Sequence, residues 1–365
     1  MKKAGKIILA VLLSIIGILL LGLLILVLNS PGKLTPLKDE KGKVIQGSIS
    51  EKLFVEINGI KQGMFIRGEN TKNPVLLYVH GGPGNPMLQF ISYLEKAERL
   101  EKYFTVCYWD QRGAGMTYSK SMDPSTLTVA QMVEDTREVT EYLKSRFNQD
   151  KIYILGHSWG SYLGVKTIEK YPENYHAYIG VGQNSNGIES ERLSYNYMLN
   201  HAKEIYDTEV IEILEKYNPY ADDFPTLDYI INARTNTLEK YGIGRLHQGV
   251  TFQDMLLPFF VFKGYTLKEK INWFLGADFS MTLFPVVMND DLFSSSVKFE
   301  VPFYIIHGVY DYMTSQVLAE KYLDFIEAPK KGFFMLENSA HSPNMEEPEK
   351  FVQIVRRIAL EKFTD

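Results

Sequence analysis

"KIYILGHSWGSYLGVKTIEKYPE", Lys151 to Glu173, sets a short apolar run against a glycine-flanked serine and then a stretch with helical spacing. A run of strand length that passes at once into a helical pattern needs a sharp corner. Gly156 and Gly160 remove the side chains that would clash in such a corner. Ser158 is then left exposed at the top of a sheet in a strained backbone, as a G-x-S-x-G elbow requires. The helix that begins there also directs amide groups and the positive end of its dipole at the same spot.

The surrounding sequence supplies the sheet. "PVLLYVH", "YFTVCYW", "YHAYIGVG", "VPFYIIHG" and "GFFMLEN" read as further short apolar strands, and "EKLFVEINGIKQGMFIRGE" reads as a hairpin. Between most of the strands lie helical stretches. In "TVAQMVEDTREVTEYLKSRF" the apolar positions fall near helical spacing, and Thr128 with Gln131 fits a capping box. Continuous apolar strands alternating with helices predict an α/β fold, a mostly parallel central sheet flanked by helices. In such sheets chemistry gathers in the loops at the carboxyl ends of the strands.

A serine hydroxyl is a weak nucleophile near neutral pH and needs a base oriented by a carboxylate. "FYIIHGVYDYMTS" ends a strand with Asp311, and "FFMLENSAHSPNMEEPEKF" ends the next with His341. The chain order Ser158, Asp311, His341 is the order this fold uses. His80 and His307 also stand at strand ends, each followed by glycine, and read as structural turn residues. The loop "HGGPGNP", His80 to Pro86, lacks the side chains that would keep a ligand from its amides. The expected oxyanion donors are the backbone N–H groups of Gly82 and Trp159.

Composition excludes several classes. A 365-residue chain with 45% hydrophobic and 23% charged residues can bury a sizeable core. A formal net charge of -5 gives no basic surplus for phosphate backbones, so no nucleic-acid partner is expected. Cys107, the single cysteine, lies in a strand-like run and reads as a buried structural thiol. At the amino terminus, Lys2, Lys3 and Lys6 precede an uncharged apolar stretch from Ile7 to Leu28. At about 1.5 Å per residue this stretch crosses a bilayer core of about 30 Å. A cleaved signal peptide competes with this reading, but "LVLNSPGKL" offers no small-x-small cleavage pattern. The expectation is a single-pass anchor in the cell membrane with the catalytic domain on the extracytoplasmic side, favoured by the lysines before the span.

With these features in place, "HGGPG", "WDQRGAGMTYS", "GHSWGS", "HGVYD" and "HSPNMEEPEKF" together resemble the proline iminopeptidases of the α/β-hydrolase fold family, in matching order from about Gly47 onward. The resemblance implies Ser158 as nucleophile, His341 as general base and acid, Asp311 as its orienter, and no metal or organic cofactor. It also makes Asp110 to Gly115 structural, with Arg112 pairing nearby carbonyls or carboxylates. Two departures stand out. No copy of the family's tryptophan- and glutamate-bearing cap motif is found, Trp273 being the cap's only tryptophan, and Val309 replaces an arginine of the aspartate loop.

The expected organisation is an anchor at 1–29, a linker at 30–47, a hydrolase core at 48–183 and 298–365, and a helical cap at 184–297. Of the cap's acids, Glu191, Glu239, Asp290 and Asp291, an amine-binding peptidase needs one facing the pocket. Phe259 to Phe262 and Phe279 to Phe284 are the expected lining of an apolar pocket. Three functions remain open: an aminopeptidase acting on short peptides, an esterase or lipase-like hydrolase of apolar acyl esters, and a non-catalytic tethered binding protein. The partners expected are a small-molecule or short-peptide substrate and the membrane.

Overall fold

The computed structural model describes residues 2–91, 98–247 and 252–360. Residues 248–251 of the expected cap and 361–365 of the expected core lie outside the described residues. Eight strands form one sheet in the order β1-β2-β4-β3-β5-β6-β7-β8. The hairpin is β1 (Ile49–Ile57) with β2 (Ile60–Gly68), joined by Asn58 and Gly59 at positive φ of 45° and 78°. Asn-Gly suits this tight turn because its two residues tolerate the left-handed region. β2 pairs antiparallel with β4 (Thr105–Trp109), and every later pairing is parallel: β3 (Val75–Val79), β5 (Ile152–His157), β6 (Tyr175–Val181), β7 (Phe303–Gly308) and β8 (Lys331–Leu336).

The middle strands β3, β4 and β7 are buried along their whole length, which explains their unbroken apolar runs. Helices cover both faces, and the sheet between them divides the core into two layers. The helix Val129–Phe147 packs Met132, Val133, Val139 and Leu143 onto one of them. Its start departs from the expected capping box: Thr128 accepts the Gln131 N–H at 3.1 Å, but the Gln131 side chain turns away to Asp135 at 2.8 Å. Asp135 is the buried hub there, gripped by Arg112 through Nε at 2.7 Å and Nη2 at 3.0 Å and by Gln62 at 2.8 Å. Arg112 thus fixes the loop after β4 to this helix.

The sheet order places β3 beside β5, so the loop from His80 and the turn at Ser158 leave neighbouring strand ends. Between β6 and β7 the chain leaves the sheet and runs through helices that include Gly187–Glu204, Phe252–Val261 and Leu267–Ser280, here called the cap. Their own small core is built around Tyr195, Met198, Leu214 and Tyr229.

The amino-terminal helix, Lys2–Leu28, contains a stretch from Gly5 to Leu28 long and apolar enough to cross a membrane, its most apolar part unburied. Leu267–Asn289 passes the same length test, yet Gly276 and Ser280 on it are buried and Asn272 and Ser280 bond the carbonyls of Tyr118 and Gly113. Those contacts mark it as a surface-lobe helix packed on the sheet's loops. The stretch read as a linker is not free chain. Lys33 N–H donates to Lys263 O at 2.9 Å, Pro31 pairs with Thr266, and Leu37 is buried.

Candidate active site

Ser158 sits between β5 and the helix Trp159–Lys170 with φ 55° and ψ −119°, a conformation L-residues rarely adopt. The glycines are obligatory. A Cβ on Gly156 would stand 2.1 Å from Gly160 O, and one on Gly160 would stand 2.1 Å from Val79 O. Removing both side chains lets the helix start press against β3 and β5 and turn Ser158 outward.

His341 follows β8 and faces Asp311, which follows β7: His341 Nδ1 lies 2.8 Å from Asp311 Oδ2. Asp311 is saturated. Its Oδ1 accepts the N–H groups of Met313 at 2.9 Å and Thr314 at 3.0 Å, and its Oδ2 accepts the Thr314 hydroxyl at 3.0 Å. Burial opposes the charge on Asp311, but His341, His307 and these hydrogen bonds outweigh it and hold the carboxyl at about 2. His307, expected only as a turn residue, is fully buried with Nδ1 3.5 Å from the same Oδ2. Ser158 and His341 open onto one cavity. No hydrogen bond joins their side chains, a spacing common before substrate binds.

The loop His80–Pro86 closes over the elbow: a Cβ on Gly81 would lie 3.1 Å from Ser158 Cβ. Gly82 has φ 118°, open to glycine alone. Among the described residues neither the Gly82 nor the Trp159 amide donates a hydrogen bond, so both remain available at the elbow. Gln111 is the brace that sequence reasoning missed. Its Oε1 accepts Trp159 Nε1–H at 2.8 Å, its Nε2 donates to His80 O at 2.9 Å, and its backbone N–H donates to His80 Nε2 at 3.2 Å. The last bond leaves the His80 proton on Nδ1, 2.9 Å from Gly81 O, and burial holds that ring neutral with its pKa lowered to about 4.

His157, the variable residue of the elbow motif, was also missed. Its Nε2 lies 2.8 Å from His341 O, so it donates there, tying the elbow to the histidine loop. Burial and then the neighbouring His341 ring lower its pKa to about 3. Glu346 holds the other flank, accepting the Ala340 N–H at 2.9 Å.

Two cavities meet at Ser158. The larger, about 330 Å³, is walled by Met87, Phe90, Phe259, Trp273 and Phe274, and the Arg245 side chain reaches it. The smaller, about 90 Å³, is lined by Trp159, Glu191, Arg234, Phe284 and Met288. The expected aromatic lining is therefore corrected in part. Phe259 and Phe284 face these spaces, but Phe262 packs on Phe65 and Tyr265, and Phe279 packs on Tyr118.

Among the cap acids, Glu191 lines the smaller cavity, with Oε1 2.6 Å and Oε2 2.7 Å from Arg234 Nε. Asp290 instead takes Tyr162 at 2.7 Å and Lys166 at 2.9 Å, Asp291 caps Phe293, and Glu239 is exposed.

Residues 74–217 match the family model described as alpha/beta hydrolase fold. The probable aminopeptidase YbaC of Bacillus subtilis is 32% identical over 311 residues, 84% of this chain and 95% of that protein. The chain belongs to the α/β-hydrolase fold family. Within it, a proline iminopeptidase of Heyndrickxia coagulans is 23% identical over 302 residues, 83% of this chain and 96% of that one. Among solved structures, a proline iminopeptidase-related protein from Thermus thermophilus superposes with a TM-score of 0.61 at 17% identity, covering 86% of this chain and 98% of its own. A membrane phospholipase A superposes with a TM-score of 0.57 at 16% identity over 98% of both chains. These two structural likenesses show the fold that this α/β-hydrolase shares with them.

Proposed function

We propose that this α/β-hydrolase cleaves an acyl bond through Ser158, His341 and Asp311, as an aminopeptidase on short substrates with an apolar amino-terminal residue, tethered to the cell membrane by its amino-terminal helix. The observation that carries the chemistry is the Asp311–His341 contact of 2.8 Å beside a serine held at φ 55°. Asp311 accepts a hydrogen bond from His341 Nδ1–H, which holds the proton on Nδ1 and leaves Nε2 free to take the Ser158 proton as Oγ attacks the carbonyl. The Gly82 and Trp159 amides stabilise the oxyanion, worth roughly 10²–10³ in turnover for each donor. His341 then returns the proton to the leaving group, and water releases the acyl-enzyme by the same route.

The aminopeptidase reading is supported by the Bacillus subtilis relative and by Glu191 in the smaller cavity. A carboxylate offers about four lone-pair sites, so Glu191 retains acceptor capacity for an ammonium beside its contacts with Arg234. A second reading, hydrolysis of apolar acyl esters, is favoured by the aromatic walls of the 330 Å³ cavity. Lys2, Lys3 and Lys6 before the span favour an extracytoplasmic body, while Lys33, Lys38, Lys41 and Lys43 beyond it weaken the asymmetry.

The deciding test compares aminoacyl-arylamides with free and acetylated amino groups, and p-nitrophenyl esters. Under the aminopeptidase reading, acetylation lowers kcat/KM by about 10- to 10²-fold, since it removes a charge-assisted hydrogen bond to Glu191 worth about 1.5–3 kcal/mol. The Glu191→Gln variant should lose that discrimination. Equal hydrolysis of blocked and free amides, or a preference for esters without an amine, rejects the aminopeptidase in favour of the esterase.

A further inference from the structure

We propose that the cap rests on the bilayer surface, its exposed apolar face seated in the headgroup–acyl boundary and the Ser158 cavity opening toward lipid. The proposal rests on the reading of the amino-terminal helix as a membrane anchor. Its apolar residues end at Leu28, which fixes Asn29 near the boundary of the hydrocarbon.

Asn29 is fastened to the cap. The buried Lys270 ammonium donates to Asn29 O at 2.9 Å and to Phe260 O at 2.6 Å, so one side chain clamps the end of the span to the helix Phe252–Val261. The Lys33–Lys263 bond and the Pro31–Thr266 bridge follow at once. A flexible tether would let the body drift by about 5–6 Å times the square root of its length. This tether has no slack over its first residues, so the membrane lies against residues 256–275.

That surface is apolar. Leu257, Phe260, Ile271, Phe274 and Leu275 are exposed by 38% to 55%. They are contiguous, because the Phe260 and Phe274 rings both pack on Phe259, at 5.5 and 5.1 Å. Ile271, Phe274 and Leu275 share one helical face, and Phe259 and Phe274 also wall the cavity of Ser158. The patch therefore adjoins the cavity. Exposed apolar groups of this kind on one face mark an interaction site, and Lys33, Lys263 and Lys268 on the same segments suit anionic headgroups. A substrate arriving by this route partitions from the bilayer.

The test uses the full chain in vesicles of phosphatidylcholine and phosphatidylglycerol. Ile271→Cys, Leu275→Cys and, as an aqueous reference on an exposed helix, Val317→Cys each carry a nitroxide; Cys107 is buried and does not compete. Collision rates with oxygen and with a water-soluble nickel chelate report depth. Nickel accessibility at 271 and 275 should be about tenfold below that at 317, with oxygen accessibility raised. Nickel accessibility at both sites equal to that at 317, in protein that floats with the vesicles, overturns the docking alone. Failure of the wild-type chain to float overturns the anchor and the docking together.

Discussion

Replacing Asp311 by Asn keeps the shape of the side chain and removes its charge. Oδ1 is fixed by the N–H groups of Met313 at 2.9 Å and Thr314 at 3.0 Å, so the amide oxygen must take that place. The NH₂ group then falls where Oδ2 lies, 2.8 Å from His341 Nδ1, with the Thr314 hydroxyl free to turn and accept from it. A donor facing Nδ1 forces the proton to Nε2, and that nitrogen can no longer take one from Ser158. The expected loss in kcat is about 10⁴-fold, or about 5 kcal/mol at 1.36 kcal/mol per decade. Hydrolysis of the best arylamide or ester is measured beside thermal unfolding of the same sample.

The unfolding arm follows from the carboxyl's depression from 3.8 to about 2. A lowered carboxyl stabilises the fold above its unfolded pKa, and the contribution disappears as pH falls from about 4 to about 2. It amounts to about 2 kcal/mol. The variant should thus melt below wild type at pH 7 and converge with it in acid. A folded Asp311→Asn protein with near-normal kcat would refute the assignment and move the orienting role elsewhere.

Ser158→Ala should lose turnover and keep the fold, whereas Ser158→Gly should lose turnover and gain stability over the alanine variant by roughly 1–3 kcal/mol, because glycine accepts φ 55° without strain; equal melting temperatures would count against the strained elbow. Gly160→Ala should fail to accumulate as soluble protein or melt far below wild type, since its Cβ meets backbone oxygen at 2.1 Å. Asp110, whose pKa burial raises to about 7, accepts the Met116 N–H at 2.8 Å and the Tyr265 hydroxyl at 2.9 Å. A raised carboxyl stabilises below its unfolded pKa and loses that contribution as pH rises from about 4 through 7. Asp110→Asn should therefore flatten the fall in melting temperature over that window, and an unchanged pH profile would contradict the assignment.

Much of the site was legible because its demands are local. A strand running into a helix through two glycines reports a corner around Ser158, and Asn58–Gly59 between alternating runs reports a hairpin, since both depend on backbone conformations few residues reach. The loops bearing Asp311 and His341 were legible because apolar strands mark where loops begin, and the parallel sheet gathers strand ends on one edge. Most of the departures lie where partners are distant in the chain. Gln111 braces Trp159 across 48 positions, His157 holds His341 across 184, and Lys270 clamps Asn29 across 241. Glu191 and Asp290 looked alike as cap acids, yet one shares a cavity with Ser158 and the other pairs with Tyr162 and Lys166. The sequence alone determined the strands, the elbow and the order of the candidate site residues, because periodicity and steric exclusion act over a few residues. Only the tertiary structure decided which polar groups meet, and that Asn29 to Lys33 dock on the cap, because those contacts depend on strand order and helix placement rather than on any short window of sequence.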